Sequence, residues 1–435
     1  MKNIKWGCIQ PLTGGMYIGA EYAIKHPASW VISYPGLTAT KEINNNIVDA
    51  GNEYNLLKWC ESRKEIPPYM VFNRKPFDAF DNTKVELIRD EKWSTVEPNF
   101  ENTDLVISVP VCSGLSQATI AKDETKDARN NNMLFNATYT LENIKPTAYI
   151  FENAPGLVGN NGAPIRKMLN ELGENYGYSV GYFKTNTLFH NNCQNRIRTF
   201  VVFLKWRGKD KGFPSFNKIY ERVSIKDYFS QISKNAKQND ITYTMTEENK
   251  LLIEYFKHKF GNNWRNKSSL CTIDNIINNN LYDDAIEFIE NNAETDHAKN
   301  KLVKYIKHVR EKIEQNLGIY SMTPICLTEN MDYVPACTFK TIPALLHYEE
   351  DRLLTVREWL HLMGLPEDFI LYGDINRTYA KIGQNVPVNT AKYIVSEACR
   401  FIENFDTIER NNFGEYIFDN TRVTNKKMLN TKKLF

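Results

Sequence analysis

The chain has 435 residues, 42% hydrophobic and 24% charged, with a formal net charge of +2. That balance allows a large buried core, divided into one big α/β domain and a smaller one. It excludes a membrane-spanning chain, because no apolar run is long enough to cross a bilayer, and the start at Met1 lacks the apolar core of a signal peptide.

The eight cysteines are scattered, with no Cys-x-x-Cys pair and no cysteine–histidine cluster. This argues against structural zinc and a disulfide framework, and a reducing interior is the simplest compartment. The near-neutral charge neither demands nor excludes a nucleic-acid partner, since local clustering decides that. Basic clusters occur at Lys205–Lys211, at Lys257–Lys259 with Arg265 and Lys267, and in the tail at Lys426, Lys427, Lys432 and Lys433. Most such runs are solvated faces.

Up to about residue 204, short apolar runs alternate with helical segments, the rhythm of a doubly wound α/β sheet. An apolar start leads into Thr13, Gly14 and Gly15, with Gly19 four residues on, a glycine turn opening a helix. The runs 105–109, 148–151 and 199–204 read as buried strands. Ligands of open α/β sheets bind at the carboxyl ends of strands, and Cys112 and Glu152 fall just past two of these. Arg196 and Arg198 come just before the third, as expected if that strand runs antiparallel to the others.

Residues 205–345 lack the strand–helix alternation. A capping box at Thr244 and Glu247 precedes Leu251, Leu252, Tyr255 and Phe256 at helical spacing, and Leu302, Ile306, Val309 and Ile313 mark another amphipathic helix. We expect an inserted smaller domain here. Strong signals return after 345: a capping box at Thr355 and Glu358 opens a helix that stops at Gly364 with Pro366 behind it, and Pro387 begins a helix with one apolar face. The larger domain is therefore expected to comprise 1–204 and 346–435.

A thiol, a carboxyl and a pair of guanidiniums suit covalent attack on a pyrimidine. A thiolate added to carbon 6 makes carbon 5 nucleophilic, and Cys112 is the candidate. A carboxyl bonded to N3 stabilises the adduct, which suits Glu152, and the guanidinium fork of Arg198 or Arg196 can hold the ring O2. Each residue alone has an ordinary reading: a buried cysteine acting as a small hydrophobe, a capping or paired glutamate, salt-bridging arginines. Their joint order, each at a strand boundary, is far more specific.

The blocks 110–116, 151–156, 194–198, 352–369 and 382–387, in this order and with the glycine turn before them, resemble the DNA (cytosine-5)-methyltransferase family, prokaryotic or phage type. The resemblance implies a Rossmann-like methyltransferase sheet with 205–345 as an inserted target-recognition domain. It makes Cys112, Glu152, Arg196 and Arg198 catalytic, and Ser116, Asn153 and Gln194 substrate-binding. Thr13, Gly14, Gly15, Gly19, Gln384 and Asn385 are expected around S-adenosylmethionine or a modified relative of it. It further implies methyl transfer to a flipped cytosine in double-stranded DNA, by a metal-free monomer in the cytoplasm of a bacterial or phage-infected cell.

Departures lie at the cofactor end. The family's Phe-x-Gly is Gln10-Pro11-Leu12 here, Gly383-Gln384-Asn385-Val386 stands where Gly-Asn-small-Val is usual, and Val111 replaces a proline before the cysteine. No acidic residue follows Val31–Tyr34, where the family holds the cofactor ribose. Two alternatives follow, a transfer-RNA cytosine-5 methyltransferase and a DNA-binding homologue with an altered cofactor pocket.

Overall fold

The apolar runs of the first 205 residues assemble, in a computed structural model, into one mainly parallel sheet. Residues 3–33, 41–43, 46–49, 52–71, 99–110, 133–205, 223–265, 273–316, 325–328, 331, 333–338, 345–404 and 416–420 are described. The strands of the main sheet are β1 (Trp6–Ile9), β2 (Trp30–Ile32), β3 (Tyr69–Val71), β4 (Leu105–Ser108), β5 (Ala148–Asn153), β6 (Tyr178–Asn186), β7 (Ile197–Lys205) and β8 (Tyr416–Asn420). Their spatial order is β8-β6-β7-β5-β4-β1-β2-β3. Every neighbouring pair is parallel except the two made by β7. The reversed strand is the one expected from its preceding arginines.

Helices cover both faces, so the central strands are buried and read as continuous apolar runs. The two faces still separate by the period of two. Leu105, Ile107, Ile150, Phe200 and Val202 join one core with helices α1 (Gly15–Ile24), α2 (Asn52–Arg63) and α9 (Val388–Glu403). Val106, Tyr149, Phe151, Val201 and Phe203 join a second core with α3 (Ala163–Tyr176). This Rossmann-like arrangement agrees with the fold expected from the sequence.

A third core is helical, built by α4 (Glu247–Phe260), α5 (Tyr282–Asn292) and α6 (Asp296–Glu314) around Leu252, Phe256, Ile289, Leu302, Ile306 and Val309. The cap of α4 differs from the expected one. Thr246, not Thr244, accepts from the Asn249 amide. The Glu247 carboxylate instead accepts from Thr295 N at 2.9 Å and Thr295 Oγ1 at 2.7 Å, holding the N-cap residue of α6. Residues Ile225, Tyr228 and Phe229 belong to the first core, so the helical core begins later than residue 205. The expected Thr355–Glu358 capping box is present at the start of α7 (Val356–Leu362). Helix α8 (Ile375–Gln384) then leads to Asn385 and, through Pro387, into α9.

Candidate active site

The antiparallel register of β7 against β5 pairs Phe200 with Glu152. Arg198 lies two residues before Phe200, so its side chain emerges on the same face as Glu152, one diagonal step away. The result is an ion pair, Arg198 Nε to Glu152 Oε1 at 2.8 Å, at the carboxyl end of β5. Both residues lie within their strands rather than outside them. Burial pushes the Glu152 carboxyl above its usual range, and the nearby Arg198 and Arg196 charges pull it only part of the way back. A buried carboxyl whose proton affinity is raised, beside a fixed cation, can bind a polar ring edge as donor when protonated or as acceptor when ionised.

The two arginines do different work. Arg198 keeps 21% of its side chain exposed. Arg196 is 1% exposed and donates to three backbone carbonyls: Cys337 at 2.5 Å, Gly383 at 2.7 Å and Asn385 at 2.9 Å. Its guanidinium fork fastens two distant segments to the start of β7. Gln194, expected beside the substrate, also fastens segments within the fold. Its amide oxygen accepts from Cys337 N at 2.9 Å, and its Nε2 donates to Leu362 O at 2.8 Å. Asn153 is fully buried, accepting from Ala154 N at 2.9 Å and donating to the Met133 sulfur at 3.5 Å. Cys112 and Ser116 lie outside the described residues. The chain reaches Pro110, two residues before that cysteine, from β4, the strand beside β5.

At the carboxyl end of β1 the backbone turns through left-handed conformations at Gln10 (φ 53°), Leu12 (φ 51°) and Gly14 (φ 112°). Leu12 thus adopts the conformation that favours glycine at the position where the family carries glycine, at a cost of about 1–2 kcal/mol. Gly15 opens α1 against the incoming 385 loop. A Cβ on it would lie 1.8 Å from the Val386 carbonyl, and its amide donates to Asn385 Oδ1 at 2.8 Å. Gly14 faces Leu56 of α2, 2.9 Å from where a Cβ would be.

Three other residues expected around the cofactor have the following places in the fold. Gly19 is where α1 crosses α9: a Cβ there would meet Ala391 Cβ at 2.5 Å and Val388 O at 2.7 Å. The Thr13 hydroxyl donates to Lys381 O at 2.9 Å, docking α8. Gln384 is exposed at the end of α8. Gly14, Gly15 and Asn385 meet at the turn itself.

A pair missed by sequence reading sits beside that turn. Ser33, directly after β2, donates its hydroxyl to Glu53 Oε1 in the first turn of α2, and both residues are fully buried. Glu53 Oε2 and Asn385 Nδ2 are buried without a hydrogen-bond partner among the described residues. Only the position of Glu53 at a helix start could have hinted at it, since twenty residues separate it from the strand end it serves. No group of three or more metal-ligating side chains occurs among the described residues, and no described helix is long and apolar enough to cross a membrane.

The family model for C-5 cytosine-specific DNA methylase matches residues 71–400. The type II methyltransferase M.NgoPII of Neisseria gonorrhoeae is 22% identical over 365 residues, spanning 82% of this chain and 90% of that protein. The type II methyltransferase M1.HphI of Haemophilus parahaemolyticus is 23% identical over 309 residues, 70% and 71% of the two chains. The fold is similar to the crystal structure of a prophage-encoded Escherichia coli protein described as a DNA modification methyltransferase. That likeness has a TM-score of 0.53 at 15% identity and covers 92% of this chain and 99% of the other. With three quarters of its length matched by the family model, and the acid and arginines of the expected blocks meeting at one rim of the sheet, the chain belongs to the C-5 cytosine-specific DNA methylase family.

Proposed function

We propose that this protein methylates carbon 5 of cytosine in double-stranded DNA, using S-adenosylmethionine and a transient bond between the Cys112 sulfur and carbon 6 of a flipped base. The observation that carries the reading is the buried Glu152 carboxyl paired with Arg198 at the carboxyl rim of the sheet. The Cys112 thiolate adds to carbon 6 and pushes electrons towards N3. Glu152, its proton affinity raised by burial, donates to N3 and stabilises that charge. We assign to Arg198 Nη2, which has no hydrogen-bond partner among the described residues, the contact to O2, while Nε holds Glu152. Loss of the carbon 5 proton and expulsion of the thiolate restore the ring double bond. Ser116 and Asn153 are assigned to the surroundings of the base, Asn153 by holding the Glu152 end of β5 in place.

Bound S-adenosylmethionine would supply the methyl group in electrophilic form. The residues fit it at the turn after β1, where Gly14, Gly15 and Asn385 meet and unpartnered buried polar atoms remain on Asn385 and Glu53. We assign catalysis to 1–204 with 346–435, and DNA recognition to 205–345, as a monomer in the cytoplasm of a bacterial or phage-infected cell. The helical core around α4 to α6 supports a separate recognition unit.

Replacing Cys112 by alanine tests the mechanism. Methylation should vanish while duplex binding survives, and trapping on DNA containing 5-fluorocytosine should require the same thiol. Undiminished 5-methylcytosine by mass spectrometry of the product would sink it.

A further inference from the structure

Gln10, the residue after β1, stands where the family carries an aromatic ring. Its amide donates to Ile32 O at 2.8 Å, joining the end of β1 to the end of β2. Its side-chain oxygen accepts from Asn136 Nδ2 at 2.9 Å. Gln10 and Asn136 are each 1% exposed, beside the second core, where Ile9 and Phe151 pack with Met133 and Ala137. Taking an amide out of water costs about 2 kcal/mol or more unless a partner meets it. An apolar residue at position 10 would demand no particular partner. The buried amide pair instead fixes one placement of the 133–139 segment against the turn.

Residues 133–139 are helical, so Asn136 lies one turn after Met133 on the same helix face. The Met133 sulfur in turn accepts from Asn153 Nδ2 at 3.5 Å. Asn153 directly follows Glu152 and ends β5. A buried series thus runs from Gln10 through Asn136 and Met133 to the neighbour of the catalytic carboxyl. We propose that Gln10 and Asn136 are positioning residues that couple occupancy of the cofactor turn to the placement of the Glu152 end of β5, so that cofactor and duplex DNA bind cooperatively. This rests on the function and cofactor proposed above and adds the residues that link the two halves of the site. The turn holds left-handed residues at Gln10, Leu12 and Gly14, and a ligand seated against that backbone acts on Gln10 directly. A close-packed helix bonded at two points shifts as a body, so what moves Asn136 also moves Met133 and, through it, Asn153. Neither amide needs to touch the cofactor or the base.

The test is a coupling measurement. The methylated site is mapped by bisulfite sequencing of DNA from an expressing host, and a fluorescent duplex carrying it is bound with and without saturating S-adenosylhomocysteine. The full wild-type chain is compared with Gln10→Leu, Asn136→Leu and the double variant. In wild type S-adenosylhomocysteine should tighten duplex binding about 10-fold or more. Each single variant should bring that factor below about 3-fold, while S-adenosylhomocysteine alone, by calorimetry, binds within about 3-fold of wild type. The double variant should lose no more coupling than either single one, because the two amides act as a unit. It also leaves neither member of the pair facing a lost partner, and so serves where a single substitution costs the fold. Circular dichroism verifies each fold; a merely structural pair would lower stability without moving the coupling factor. A wild-type factor below about 3-fold overturns the proposal and leaves the methyltransferase reading standing. So does a folded variant that keeps the wild-type factor. Loss of S-adenosylhomocysteine itself by more than about 10-fold would make Gln10 a cofactor contact and overturns it as well. If no site is methylated, or wild type binds no S-adenosylhomocysteine, the function proposed above falls first and the coupling with it.

Discussion

Arg196 Nη2 donates to the backbone carbonyl of Asn385 at 2.9 Å, and the Asn385 side chain accepts from the Gly15 amide at 2.8 Å. One loop residue therefore ties the arginine-bearing end of β7 to the glycine turn after β1. That residue is remote in sequence from both halves of the site, 189 residues away at the Arg196–Asn385 contact and 370 at the Asn385–Gly15 contact. This tie explains why neighbouring arginines have separate tasks, and it leads to opposite expectations for them.

Arg196→Lys should destabilise the fold by about 3 kcal/mol, because a single ammonium cannot reproduce a fork bonded to three carbonyls. Arg198→Ala should shift stability by less than about 1 kcal/mol, since it breaks a partly exposed ion pair and leaves a carboxyl that can protonate. Its methylation rate should nevertheless drop about 100-fold or more. Urea denaturation beside single-turnover methylation measures both. The reverse ranking would show that Arg196, not Arg198, meets the base.

Glu152→Gln keeps the size of the side chain but removes the proton that burial favours on it. The expected result is a loss of about 100- to 1,000-fold in the methylation rate, with duplex affinity changed less than about 3-fold. A variant that lost DNA affinity and rate in parallel would place Glu152 in ground-state binding instead.

Glu53 has a proton linkage of definite sign. Its folded value, about 8, lies above the ordinary 4.5, so the folded state keeps its proton where the unfolded chain has released it. Stability is then fully present below about pH 4.5 and declines as pH rises towards about 8, by up to about 1.4 kcal/mol per pH unit. The groups that act on it, the Ser33 hydroxyl and its own backbone amide, carry no positive charge to reverse that sign. Glu53→Gln should therefore gain stability over wild type as pH increases from 5 to 8. Denaturation midpoints of the two proteins across that interval are the check, and parallel pH profiles would contradict it.

Gly19→Ala tests whether the third glycine serves a ligand or a helix crossing. Its added methyl would sit 2.5 Å from Ala391 Cβ and 2.7 Å from the Val388 carbonyl, so α1 and α9 must separate. A destabilisation of about 1–3 kcal/mol is expected. Binding of S-adenosylhomocysteine by the folded fraction should stay within about 3-fold of wild type. An unchanged melting temperature with binding abolished would return Gly19 to the cofactor.

Local pattern made much of this protein legible before any coordinates. Strands β4, β5 and β7 appear as apolar runs because both sheet faces are covered, and α6, α7 and α9 appear because one apolar stripe or cap marks each. The order of Glu152 and the two arginines, each at a strand boundary, was also readable, as was the reversal of β7. Position along the chain could not assign partners. The pairing of Phe200 with Glu152 selects Arg198 as the ion-pair partner, and only the antiparallel register establishes it.

The glycines show the same limit from another side. Gly15 and Gly19 look equivalent in the sequence, but one meets a loop and the other a helix, and those surfaces come from residues 385–392. Sequence reading put the cap of α4 at Thr244, whereas Thr246 is the cap and Glu247 instead holds Thr295 from another helix. The carboxyl at the end of β2 was out of reach of sequence reading because it arrives from another element, through α2. Backbone periodicity and turn chemistry act over a few residues, so the chain alone determined the strands, most helices and the order of reactive groups. Which side chains face one another depends on sheet register and helix crossings between distant segments, and only the folded structure decided that.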